Sequence, residues 1–389
     1  MVSLNPIGRM DKQLLGHVNW GLLFLMLMLF FVGIVNMYSA SARLLEDGMQ
    51  VTNFYQKQLI WGGAGLTIMI GVLLFDYRHL KNVTIFLYIA AIILLILVLI
   101  IGSVYSGARR WIDLGFINFQ PSELAKISVL LMGALVLSRS KEALGPLGLI
   151  GTISLGILPA FLIVLEPDLG TCLNVLLILG GMILFRGIKL WLCAIIAGVT
   201  IINVGTYYLL YLFNIVPSWW SLLHPYQQRR ILTFLNPEND PQGAGYHIRQ
   251  ALIAIGSGET WGRGFLEGPQ SKLLYLPERH TDFAIAVFGE EWGFMGCIAL
   301  TSLFCLFLLS IFATARDAKD RFGTYLAVGV FFYFFWQILI NIGMVLGLLP
   351  VVGMPLPFLS YGGSSTLVNF CLVGLVLNVS MRRFVFKSK

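Results

Sequence analysis

The sequence predicts an all-α integral membrane protein of about ten transmembrane helices, and three observations carry that expectation. Of its 389 residues 58% are hydrophobic and only 12% are charged, too few to give a folded chain a water-facing surface. Apolar runs of about 20 residues, the length a helix needs to cross about 30 Å of hydrocarbon, recur from end to end. Lys and Arg gather in alternate connections between those runs, the bias that marks a cytoplasmic side.

The runs place helices at Trp20–Tyr38, Gln58–Phe75, Val83–Ile101, Pro121–Leu137, Leu147–Leu165, Thr171–Phe185, Leu190–Phe213, Asp282–Phe312, Tyr325–Leu346 and Gly363–Val379. Helices rather than isolated strands follow because backbone N–H and C=O groups in lipid must be satisfied within their own segment. Ala40-Ser41-Ala42 behind the first run resembles a signal-cleavage site, but the run is too long for a signal core, so it reads as a spanning helix. Arg78, Lys81, Arg139, Lys141, Arg186, Lys189, Arg316 and Lys319 fall on one side, which places both termini in the cytoplasm with Arg9, Lys12, Arg382 and Arg383. The formal charge of +7 thus reflects topology and is no evidence for nucleic acid.

Residues 1–389 read as a single polytopic membrane domain, with residues 214–281 forming a large extracytoplasmic loop between helices 7 and 8. The other long connections, Gly102–Gln120 and Gly347–Gly362, fall on the same outer side, and long loops in a compact fold tend to carry function. Turn signals at Asn236-Pro237 and Asp240-Pro241 and helical apolar spacing at Ile248, Ala251, Leu252 and Ile255 indicate order in the largest loop. That helix, about ten residues long, is too short to span and belongs in the interface or re-enters the protein. The five cysteines all fall in apolar spans and read as small buried hydrophobes, without metal-ligand spacing. Gly256-Ser257-Gly258 with Gly262 lacks a preceding strand, so a nucleotide site is unsupported.

Three polar groups have chemical potential. Glu123 and Lys126 open the fourth span three residues apart on one helix face, as a structural ion pair or as substrate contacts. Arg109-Arg110-Trp111 sits outside, against the positive-inside bias; paired arginines suit phosphate oxygens, and the alternative is a solvated or headgroup-bound pair with Trp111 as an interfacial anchor. Glu278-Arg279-His280-Thr281-Asp282 precedes the eighth span, where a carboxylate serves either as a general base or, with Thr281, as a helix cap.

The ordered pieces Gly107-Ala108-Arg109-Arg110-Trp111, Phe119-Gln120-Pro121-Ser122-Glu123-Leu124-Ala125-Lys126, Glu166-Pro167-Asp168-Leu169-Gly170-Thr171, Gly243-Ala244-Gly245-Tyr246, Leu276 through Glu291, and Leu349-Pro350 through Ser360-Tyr361-Gly362-Gly363-Ser364-Ser365 resemble the SEDS (shape, elongation, division and sporulation) proteins. The Pro350–Pro357 stretch and Glu238-Asn239-Asp240-Pro241 resemble the RodA branch more than the division branch. Glu259-Thr260-Trp261 departs from the family, which more often has Gly and small residues there.

The resemblance implies a peptidoglycan glycosyltransferase of the bacterial cytoplasmic membrane, polymerising lipid II at the outer face during cell elongation. It makes Asp282 the catalytic base of an inverting transfer and assigns Arg109, Arg110, Trp111, Gln120, Glu123, Lys126, His280, Thr281, Ser360 and Ser364 to the substrate. Undecaprenyl diphosphate is the leaving group; no cofactor is certain, and a divalent metal ion is one candidate for offsetting its charge. A class B penicillin-binding protein, the cross-linking transpeptidase, is the implied partner. Two other classes compete, a flippase for lipid-linked precursor and a non-catalytic scaffold for the transpeptidase. Crowding of polar groups at the outer side favours the enzyme, since a translocation path needs them at several depths.

Overall fold

A computed structural model describes residues 16–383 apart from 46–47, 52, 106–107, 114, 116–117, 140–143, most of 190–231, 235–242, 273–274 and 277. The order is α1 (Trp20–Ser41), β1 (Ala42–Leu45), β2 (Gly48–Val51), α2 (Phe54–Leu74), a 3-10 turn (Tyr77–His79), α3 (Leu80–Ile101), β3 (Ser103–Tyr105), β4 (Ala108–Asp113), β5 (Asn118–Phe119), α4 (Pro121–Ser138), α5 (Pro146–Leu165), α6 (Leu169–Arg186), α7 (Ala244–Ser257), α8 (Pro269–Lys272), α9 (Ala284–Arg316), α10 (Arg321–Val345) and α11 (Gly363–Met381). Among the described residues, nine helices are long and apolar enough to cross a membrane. The expected seventh span, Leu190–Phe213, lies mostly outside the described residues, as does the Asn236–Asp240 stretch.

Burial sorts these helices. α4, α10 and α11 form the interior, with Leu130, Tyr333, Phe334, Phe370 and Leu372 fully buried, whereas α2, α3 and α9 turn Ile60, Phe86, Ile100 and Leu309 outward. Outward apolar side chains are costly in water and neutral in lipid, so the chain is an integral membrane protein. All four described cysteines are unbridged; Cys172 is buried, but Cys305 faces outward, contrary to the expectation that all are buried.

Two small β elements add to the helical fold: an antiparallel β1–β2 hairpin and a β3–β4–β5 sheet. They lie with α7 at one end of the bundle. α7 buries Ile248, Ala251 and Ala254 and exposes Leu252, so the apolar spacing read from sequence marks a docked face that excludes Leu252.

α9 is not the continuous span expected over Asp282–Phe312. It breaks at Gly293, whose φ of 64° and ψ of −164° no helix accommodates. A break strands backbone groups that must find partners, and the 258–264 loop supplies them. Phe294 and Met295 N–H donate to the carbonyls of Glu259 and Thr260 at 2.9 and 3.1 Å, while Arg263 and Gly264 N–H donate to those of Glu290 and Glu291 at 3.0 and 3.1 Å. Gly293 must be glycine twice over, because its φ is left-handed and a Cβ would sit 2.3 Å from the Gly262 nitrogen. Glu259 adopts a left-handed φ of 49° in this loop.

Candidate active site

Pro146–Leu165 and Leu169–Arg186 are joined by three residues, and Asp168 starts the second helix by capping it: its Oδ1 accepts from Thr171 N–H at 3.1 Å and its Oδ2 from Thr171 Oγ1 at 2.8 Å. Gln120 Nε2, just before α4, reaches the same Oδ2 at 3.1 Å. Arg110 on β4 donates from Nε to the Glu166 carbonyl at 3.1 Å and from Nη2 to the Pro167 carbonyl. These bonds tie the β-sheet to the α5–α6 turn and bring Arg110, Trp111, Gln120 and Asp168 to one wall of a cavity of about 190 Å³.

Thr281, Asp282, residues 353–355 and 361–365, Glu123, Lys126 and Gln337 line the rest of the cavity. Glu123 and Lys126 form a buried ion pair of 2.7 Å, and the Lys126 ammonium lies 5.2 Å from the centroid of Tyr333. The pairing read from their spacing is therefore real, and so is their exposure to the cavity.

Asp282 does not cap α9, against the alternative reading of its position. The cap residue is Phe283, with no side-chain cap bond, and Thr281 Oγ1 instead donates to Glu278 Oε2 at 2.7 Å. Freed from capping, the Asp282 carboxylate lines the cavity, while its backbone is clamped. Asn341 Nδ2 on α10 donates to the Asp282 carbonyl at 3.0 Å and to the Met354 carbonyl at 2.7 Å. Asn36 Nδ2 on α1 holds the Ala284 carbonyl at 2.9 Å.

Burial pushes the Asp282 carboxyl up, Glu278 adds to it, Arg230 opposes and Asp168 adds again, leaving it at about 6. Glu166 is displaced further, to about 9, chiefly by burial and then by Asp168, with Arg110 opposing. It is fully buried and neither carboxyl oxygen has a hydrogen-bond partner among the described residues, which disfavours its charged form.

Three residues assigned to substrate lie elsewhere. Arg109 is exposed and reaches the Leu99 carbonyl at 3.4 Å, because neighbours on a strand point to opposite faces and Arg110 takes the inner one. The His280 ring stacks on Phe54 at 4.3 Å, and its carbonyl accepts from Tyr361 N–H at 2.8 Å. Ser360 is buried, its Oγ accepting from Leu356 N–H at 2.9 Å to shape the loop. Ser364, at the start of α11, does line the cavity. Sequence reasoning passed over Asp168, Arg230, Asn36, Asn341 and Gln337, although Asn and Gln inside apolar spans carry a signal of their own.

Among the described residues no three His, Cys, Asp or Glu side chains come together as a ready ligand set for a metal ion. Among the described residues lining the cavity, the cations are Arg110 and the paired Lys126, and the Arg230 guanidinium lies beside it at Gly353.

A family model described as cell cycle protein, spanning the FtsW, RodA and SpoVE proteins, matches residues 20–384. The chain belongs to the SEDS family, in its RodA branch. It is 38% identical to the peptidoglycan glycosyltransferase MrdB of Escherichia coli K12, over 94% of each chain. It is 32% identical to the peptidoglycan glycosyltransferase RodA of Treponema pallidum, covering 93% of this chain and 97% of that one. A structure described as the structural coordination of polymerization and crosslinking by a peptidoglycan synthase complex superposes with a TM-score of 0.75 at 31% identity, covering 94% of this chain and 98% of that one. Within the SEDS family the cavity built by Asp168, Asp282 and the Glu123–Lys126 pair thus sits in a fold shared along nearly the whole chain.

Proposed function

We propose that this chain is a peptidoglycan glycosyltransferase that polymerises lipid II, with Asp282 as its general base. The observation that carries the reading is a carboxylate held at a cavity wall, released from capping and raised to about 6 by burial and by Glu278. Such a group is ionised at neutral pH yet a better proton acceptor than an ordinary carboxylate, the compromise a general base needs. Arg230 is the cation that opposes this rise, and burial with Glu278 and Asp168 outweighs it.

In the transfer, the acceptor's 4-hydroxyl gives its proton to Asp282 while its oxygen bonds to the donor's anomeric carbon from the face opposite the diphosphate. The anomeric carbon–oxygen bond breaks, undecaprenyl diphosphate leaves with the electron pair, and the configuration inverts. Arg110 and Lys126 supply positive charge along the same cavity, where excluded water makes it more effective. Trp111, Gln120, Thr281 and Ser364 line the remaining surface for the sugar and peptide.

The loop-bearing end, which holds the cavity, faces outward from the cytoplasmic membrane in this reading, since the basic connections lie at the other end and both termini with them. The chain works beside a class B penicillin-binding protein, in line with the similarity to a synthase complex that couples polymerisation and crosslinking.

The test is polymerisation of labelled lipid II by purified Asp282→Asn beside wild type. Asn matches Asp in size, so melting, membrane insertion and lipid II binding are expected to persist while polymer falls by about 10²- to 10⁴-fold. Polymer at the wild-type rate from the folded variant would remove Asp282 from the chemistry, and lipid transfer across a bilayer without polymer would identify a flippase.

A further inference from the structure

Arg230 belongs to the connection preceding α7, far in sequence from Asp282, and its Nη1 donates to the Val351 carbonyl at 2.5 Å. Two residues on, Gly353 turns through a left-handed φ of 73°. A Cβ at Gly353 would lie 3.6 Å from Asp282 Oδ2 and 3.9 and 4.0 Å from Arg230 Nη2 and Nη1. Carboxylate and guanidinium thus converge on one small space, kept open by a glycine. Glu278 lies on the exposed turn four residues before Asp282, with Oε2 held by Thr281 Oγ1 at 2.7 Å.

We propose that Arg230 and Glu278 are positioning residues of the transfer reaction that hold the Asp282 carboxylate between a fixed cation and a fixed anion and so set the pH range in which it accepts the acceptor's proton. The inference rests on the reading of Asp282 as the base. Arg230 favours the ionised carboxylate and Glu278 the protonated one, and Asp168 at the head of α6 acts in the same sense as Glu278. The other charges at the cavity are Arg110 on β4 and the mutually paired Glu123 and Lys126 on α4. On Asp282's own segment, Arg279 is buried and His280 is stacked on Phe54. Anchoring matters because a base works best when its charge environment does not reorganise during proton transfer. Arg230 is fixed by a backbone carbonyl, and Glu278 by the hydroxyl beside it.

The experiment is the pH profile of lipid II polymerisation, from about pH 5 to 9, with full-length purified protein. Arg230→Gln removes the cation, so the acid limb of kcat is expected to move to higher pH by about one unit, with activity lost near pH 6 and recovered near pH 8.5. Glu278→Gln is expected to move the same limb to lower pH, and Arg230→Lys to stay near wild type. A purely structural role predicts a uniform loss at every pH, and limbs that stay in place or move in the same direction in both glutamine variants overturn the inference. If Arg230→Gln does not fold, Glu278→Gln, on an exposed turn, decides alone by whether the limb falls. Asp282→Asn run alongside separates the two failures. Polymer from that variant sinks the base assignment itself, whereas an inactive Asp282→Asn with unmoved limbs sinks only the roles of Arg230 and Glu278.

Discussion

Glu123 and Lys126 show how one buried pair serves two ends. Each has its charge satisfied by the other at 2.7 Å, and Glu123 Oε2 has no further hydrogen-bond partner among the described residues. Removing one partner strands the other in a low-dielectric interior, at about 3–5 kcal/mol, whereas an apolar pair of similar volume costs little. Glu123→Gln alone is therefore expected to lower the melting temperature, and Glu123→Leu with Lys126→Met to recover much of it while polymerisation stays abolished. Single and double variants melting alike would remove the pairing argument. Arg110 carries a different lesson: two prongs of its guanidinium already hold the Glu166 and Pro167 carbonyls, so its planar fork builds the cavity wall as well as lending charge.

At the scale of elements, the base is delivered by the way α9 begins and breaks. Asn36 from α1 and Asn341 from α10 pin its first residues, and the break at Gly293 lets the 258–264 loop plug into the helix. The first segment of α9 also buries Glu290 and Glu291, whose carboxylates accept from Gln270 and Leu266 N–H at 2.8 and 3.0 Å. An added methyl at Gly293 meets both a forbidden φ and the Gly262 nitrogen, so Gly293→Ala is expected to cost about 3 kcal/mol. Thermal melting of the purified variant checks this, and wild-type melting would show that the loop yields.

Across the whole molecule, the end away from the cavity is closed by a charge cluster. Asp320, just before α10, accepts from Lys81 Nζ at 2.7 Å and from the Tyr77 hydroxyl, while Arg382 and Arg383 at the end of α11 reach Asp76 and Asp317 at 3.8 and 3.6 Å. Burial alone would raise the Asp320 carboxyl, but Lys81 and Tyr77 outweigh it and hold it below its ordinary value. A group depressed in the folded state contributes stability above its unfolded pKa, near 3.9, and loses it as pH falls through the folded value. Asp320→Asn is thus expected to melt below wild type at pH 7, with the gap narrowing below about pH 4. A gap independent of pH would place the effect of the substitution outside the carboxylate's charge.

Hydrophobic run length alone determined the membrane class and located nine described spans to within a few residues, because lipid leaves a spanning backbone few choices other than a helix. Residue spacing likewise determined the Glu123–Lys126 pair, since i and i+3 on a helix meet whatever surrounds them. Motif order made the Asp282 region legible as a candidate site, yet left open whether its carboxylate caps a helix or faces a cavity. Tertiary structure alone decided that. The choice depends on Asn36, Asn341 and Arg230, drawn from three segments distant in sequence, and on the 347–362 loop approaching through Gly353. The break in α9 was equally hidden, because Glu290 and Glu291 mark polar residues in the run without showing a break, and only the loop that satisfies the exposed backbone groups makes one affordable.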